Sequence, residues 1–126
     1  PNDGTTWESL VYAAKVNGVS SDGLFNVTGK SYRSWSIADL RSELAKGHPV
    51  ILLVRYRSLP DHFDSAFYGD HYIVALGFDA SGNLVYNDPA FKTSPGSDRT
   101  IDPANLQNAW SHTAAGFTRT AMGLYR

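Results

Sequence analysis

The sequence predicts an α+β domain built around an antiparallel sheet. Three observations lead there. The clearest helical periodicities come before Gly47, and the strongest strand candidates follow them. The second of those strands returns on itself through a tight turn. Strands and helices do not alternate regularly, as a parallel sheet would require. The 126 residues suit one domain, expected over residues 1–126. Apolar residues at 42% and aromatics at 13% supply a core and exclude a disordered chain.

The elements are read in order. Residues Thr5 to Asn17 form the first predicted helix, with Thr5 and Glu8 at capping-box spacing. Trp7, Leu10, Val11 and Ala14 recur on one face and should form a buried stripe. Gly18 suits the stop. Val19 to Arg33 is rich in serine and glycine, with a short strand expected over Leu24 to Val27. Ser36 caps a second helix, with Asp39 three residues on and Ile37, Leu40 and Leu44 on one face. Gly47 ends it, and Pro49 blocks continuation. Val50 to Tyr56 is a near-continuous apolar run, as a strand buried on both faces should be.

Arg57 to Asp70 reads as a loop, and His71 to Asp79 as the next strand. Gly82 marks a turn, and Leu84 to Asn87 is the hairpin partner. Asp88-Pro89 ends it, because proline cannot donate to a ladder. Phe91 to Thr100 is expected as a loop. Asp102 with Pro103 starts a short helix that buries Leu106, Ala109 and Trp110. Thr118 to Tyr125 is the last predicted strand.

Composition excludes several classes of function. Eleven basic residues against twelve acidic ones leave no electrostatic footprint for nucleic acid. The longest apolar run, Pro49 to Val54, is far too short to span a bilayer. The chain has no cysteine, so it forms no disulfide and no thiolate metal site. No cofactor is expected.

The segment Gly69 to Pro89 carries the chemistry. His71 opens one strand and Asp88 closes the next, seventeen positions later, so the antiparallel return should bring them together. A carboxylate accepting the imidazole Nδ1–H would fix the tautomer and leave Nε2 free as a base. Such a pair is also a common structural hydrogen bond, and spacing alone does not separate the two. Asp61, His62, Asp64, Asp70 and His71 cluster within one stretch. They could ligate a divalent ion or merely form a solvated loop, and the solvated loop is favoured, so no metal is expected. Tyr68, Tyr72 and Phe91 stand beside the pair as groove lining or rim. Asn87 is expected to tie the turn, and His112 has no evident partner.

Three stretches together resemble the bacteriocin-processing-type cysteine peptidases, a family-39-like group with a papain-like fold. They are Gly47, Pro49, Val50 and Ile51 after a helix; His71 to Val74 followed by Gly77, Phe78 and Asp79; and Asn87, Asp88 and Pro89. Order and spacing agree over residues 36–90. The resemblance implies flanking helices on an antiparallel sheet and a peptide or protein substrate. It places His71 as general base and Asp88 as its orienting residue. It also suggests an extracellular or cell-surface location.

The departure is as informative. The family's nucleophile is a cysteine at the start of an upstream helix, with an oxyanion-hole glutamine just before it. Neither has a counterpart, and Gln107, the only glutamine, lies in the wrong part of the chain. Three expectations stay open. The favoured one is a chain whose nucleophile-bearing N-terminal part is absent, so that peptide bonds are cut only when a cysteine is supplied from outside. In that case a partner chain or self-association should cover the sheet. The alternative is an inactive peptide- or protein-binding module. The third is a serine in the nucleophile's role, but none sits at the family position.

Overall fold

The structure is a computed structural model and describes residues 6–29, 31–89 and 98–126. Six strands form one sheet in the order β1-β6-β2-β3-β4-β5, and every neighbouring pair is antiparallel. The strands are β1 (Ser20–Asp22), β2 (Val50–Arg55), β3 (Asp70–Phe78), β4 (Leu84–Asn87), β5 (Arg99–Ile101) and β6 (Ala121–Tyr125). The helices are α1 (Trp7–Val16), α2 (Ile37–Ala45) and α3 (Pro103–Ser111).

The apolar run Val50 to Val54 becomes the central strand, flanked by β3 and β6. Its side chains alternate between two cores. Val50, Leu52 and Val54 join Trp35, Leu40, Ile73, Leu106 and Trp110 under α2 and α3. Leu53 turns the other way and packs with Trp7, Leu24 and Met122, next to the half-buried Ile51, Tyr72 and Leu124. Trp7, Trp35 and Trp110 are all buried anchors.

Helix starts follow their caps. Ser36 and Asp39 exchange side-chain and backbone hydrogen bonds in a full capping box. Asp102 accepts from the Asn105 backbone N–H, with Pro103 in the first turn. Gly47 adopts φ +82°, the left-handed conformation that lets the chain leave α2.

Several boundaries differ from the sequence reading. Thr6 caps α1, accepting from the Ser9 N–H; Thr5 lies outside the described residues. Only Trp7 of the predicted α1 stripe is fully buried, and Leu10, Val11 and Ala14 are half-buried. The early strand is not Leu24 to Val27 but β1, which pairs with β6. Gly23 ends β1 at φ +80°, where the Trp35 ring occupies the space a Cβ would need and its Nε1–H donates to the Gly23 carbonyl at 2.7 Å. Phe25 then makes one isolated bridge to Tyr32. The end of the predicted 91–100 loop contributes β5, an edge strand on β4. The last strand starts at Ala121 rather than Thr118, because Arg119 turns at φ +50° and its backbone N–H bonds the Trp110 carbonyl.

Candidate functional site

The site sits where β3 begins and β4 ends. Val74 pairs with Asn87. Extending that pairing one step sets Asp88 opposite Ile73, two residues from His71 and on the same face. The hydrogen bond follows: His71 Nε2 lies 2.6 Å from Asp88 Oδ1. Asp88 is 2% exposed, and the His71 side chain is 19% exposed.

The nitrogen differs from the one expected. The ring's far nitrogen, Nε2, meets the carboxylate, and Nδ1 has no hydrogen-bond partner among the described residues. A carboxylate only accepts, so Nε2 carries the hydrogen. The neutral imidazole then keeps its lone pair on Nδ1, which is the atom able to take a proton.

A second histidine reaches the same carboxylate. His62 Nε2 lies 2.8 Å from Asp88 Oδ2. Its ring stacks on Tyr56 at 3.9 Å between centroids and 14° between planes. The same Tyr56 meets His71 edge-on at 5.1 Å, and Phe67 edge-on at 5.4 Å. Burial, and then the charge of Asp88, push the Tyr56 hydroxyl above its ordinary value, so it stays protonated.

The loop 57–69 is ordered by two single-turn 3-10 helices, Tyr56–Ser58 and Pro60–His62. The second carries His62 to Asp88. Sequence reasoning placed His62 in a loose acidic cluster; His62 and His71 of that cluster converge on Asp88, while Asp61 and Asp70 are engaged elsewhere. Asp61 pairs with Arg99 at 3.0 Å. Asp70 accepts from the Ala114 and Ala115 backbone N–H groups at 2.6 and 2.9 Å. Signals for the His62 contact were thin: Pro60 at a turn start, and Tyr56 six residues earlier.

The aromatic neighbours divide. Tyr68 is 64% exposed, beneath the Arg57 guanidinium, and Phe63 is 51% exposed. Tyr72 points to the opposite face from His71 and packs edge-on against Trp7 at 5.0 Å, so it does not line the site. Phe91 lies outside the described residues. The Asn87 side chain accepts from the Asp98 N–H at 3.0 Å, eleven residues on, rather than from within its own turn. His112 finds a partner on its own helix, the Asn108 carbonyl at 3.0 Å.

A separate group of ligand-type atoms belongs to Asp22, Glu43 and His48, all within 4.8 Å of one another. His48 Nδ1 lies 2.6 Å from Glu43 Oε2, and Lys46 bonds Glu43 Oε1 at 3.3 Å. Each oxygen of the buried Glu43 therefore already has a hydrogen-bond partner within the chain, and this group reads as a structural network. Among the described residues, no helix is long and apolar enough to cross a membrane.

A solved structure provisionally described as a C39-like peptidase from Bacillus anthracis has the same fold. The TM-score is 0.55 at 18% identity, over 90% of this chain and 55% of that one. The chain thus spans about half the length of that protein. No curated protein matches. The sequence profile of the Peptidase_C39 like family matches residues 4–116. With that match over most of its length, and with the fold to go with it, the chain belongs to the Peptidase_C39 like family.

Proposed function

We propose that this chain is the base-bearing part of a peptide-bond hydrolase, with His71 as general base and Asp88 as its orienting residue. The observation that carries the reading is the 2.6 Å bond from His71 Nε2 to a buried carboxylate, which leaves Nδ1 with its lone pair. The nucleophile is a cysteine thiol outside these residues, since the chain has none. Its proton passes to His71 Nδ1, and the thiolate attacks the carbonyl carbon of the peptide bond. Asp88 stabilises the imidazolium so formed. The imidazolium returns the proton to the departing amine, leaving a thioester. Water, deprotonated by His71, then releases the acid and regenerates the thiol.

The test needs a complete protein that contains this chain and cleaves peptides. His71→Ala should lower kcat by at least about a hundredfold with folding intact. Undiminished cleavage would remove His71 from the mechanism.

The absence of cysteine favours a second reading, a peptide-binding module without hydrolysis. The exposed Phe67, edge-on to the same Tyr56 that meets His71, would then supply contact area. Peptide binding by a complete protein that has no cysteine would support it. Covering of the sheet by a partner chain or a second copy belongs to the first reading, in which the nucleophile must arrive from elsewhere.

A further inference from the structure

We propose that His62 is a positioning residue for His71, acting through Asp88. The proposal rests on the reading of His71 as base, and it concerns a residue that lies outside the His71–Asp88 pair.

The geometry is specific. A carboxylate has two oxygens, and here each oxygen receives a different imidazole: Oδ1 from His71 at 2.6 Å and Oδ2 from His62 at 2.8 Å. Both contacts use Nε2. Because Asp88 only accepts, both rings present Nε2–H to it. With one oxygen held by His62, the carboxylate plane cannot swing about its Cβ–Cγ bond without breaking a charge-assisted hydrogen bond in a buried setting. His71 therefore meets an oxygen in one fixed place and is held as the Nε2–H tautomer. That tautomer leaves Nδ1 unprotonated, as the base requires.

His62 is itself held. Its side chain is only 9% exposed. Tyr56 stacks flat on it at 3.9 Å, and Phe67 meets Tyr56 edge-on at 5.4 Å. The 3-10 turn Pro60–His62 fixes its backbone, with the His62 N–H bonding the Leu59 carbonyl at 2.9 Å. Leu59 is fully buried in the main core. A rigid turn rooted in the core thus presents one N–H to the back of the orienting carboxylate. A ring recruited only for packing would need no nitrogen at this oxygen.

The experiment is imidazole nitrogen NMR on the complete protein that contains this chain, with the His62 and His71 signals assigned by substitution. It needs no catalytic activity. Wild type should show His71 as the Nε2–H tautomer when neutral, and a slowly exchanging Nε2–H on His62 at low field. His62→Phe keeps the ring stack on Tyr56 but removes the donor, and His71 should relax to a mixture of the two tautomers. His62→Gln places an amide N–H at about the reach of Nε2 and should restore the single tautomer.

An unchanged His71 tautomer in His62→Phe overturns the proposal. A mixture in His62→Gln as well as in His62→Phe overturns it too, since supplying an N–H donor at that oxygen would then not be what holds His71. Should His62→Phe fail to fold, wild type still decides: a His62 ring without a hydrogen on Nε2 overturns it. None of these results depends on peptide cleavage. Failure of the hydrolase reading is scored separately, by the His71→Ala variant of the complete protein.

Discussion

At the scale of single residues, two carboxyl groups share one small space above Gly123. A Cβ there would lie 2.5 Å from a Glu43 oxygen and 2.6 Å from an Asp22 oxygen. Burial raises the Asp22 carboxyl above its ordinary value, and the neighbouring Glu43 carboxylate raises it further. Lys46 and His48 face the pair and pull it down. Burial also opposes ionisation of Glu43, but its hydrogen bonds with His48 and Lys46, together with the neighbouring Asp22 carboxyl, outweigh it and hold that group below its ordinary value. The sign for Asp22 follows from linkage: the folded protein holds this proton more tightly than the unfolded chain. Its contribution to stability is therefore present at acid pH and lost as pH rises through the raised value. Asp22→Asn cannot ionise. Its melting temperature relative to wild type should rise from pH 3 to pH 7, by less than about 1 kcal/mol in stability because the site is partly wet. Thermal melts across that range check it, and a pH-independent difference would remove the raised Asp22 carboxyl from the account.

At the scale of elements, caps and turns explain both what the sequence revealed and what it hid. Ser36 with Asp39 was legible because the capping box is written in four consecutive residues. Ser36→Ala should cost about 1 kcal/mol, measurable as a lower urea midpoint with an unchanged slope. A loss below about 0.3 kcal/mol would mean that packing of Leu40 and Trp35 fixes the start of α2 instead. The central hairpin was legible for a related reason. His71 and Asp88 bracket two apolar runs and a Gly82 turn, so period and turn chemistry together bring them near each other. The nitrogen that meets the carboxylate was not legible, because ring orientation depends on side-chain torsions that no spacing encodes. His62 was missed because a 3-10 turn within a polar stretch has no hydrophobic period, and its partner stands 26 residues away. β5 was missed because a three-residue edge strand with one buried side chain, Ile101, gives too short a signal for alternation.

At the scale of the whole molecule, stability should be spread unevenly between the two faces of the sheet. One face carries α2 and α3 over a contiguous core that includes Trp35, Leu40, Leu106 and Trp110. The other carries α1, which buries only Trp7 while Tyr12 and Val16 stay 68% and 60% exposed. Burial of apolar area is the main stabilising term, at about 25 cal/mol per Å². A ten-residue helix is marginal by its own propensity. Among the contacts that hold α1 are Trp7, packed with Leu24, Leu53 and Met122 and edge-on to Tyr72, the half-buried Leu10 and Val11 against the same cluster, and a 2.7 Å hydrogen bond from the Tyr32 hydroxyl to Glu8. Opening α1 therefore exposes little apolar surface compared with opening β2, whose Val50, Leu52 and Val54 are wholly buried. Native-state amide exchange should find α1 opening sub-globally, well below the free energy of global unfolding, while β2 and β3 exchange only through that global event. Trp7→Ala should push α1 exchange towards the unprotected limit and leave the β2 amides ranked as before. Equal protection of α1 and β2 would mean that both faces unfold as one unit. The half-exposed side of α1 would then contribute more to the core than its burial allows.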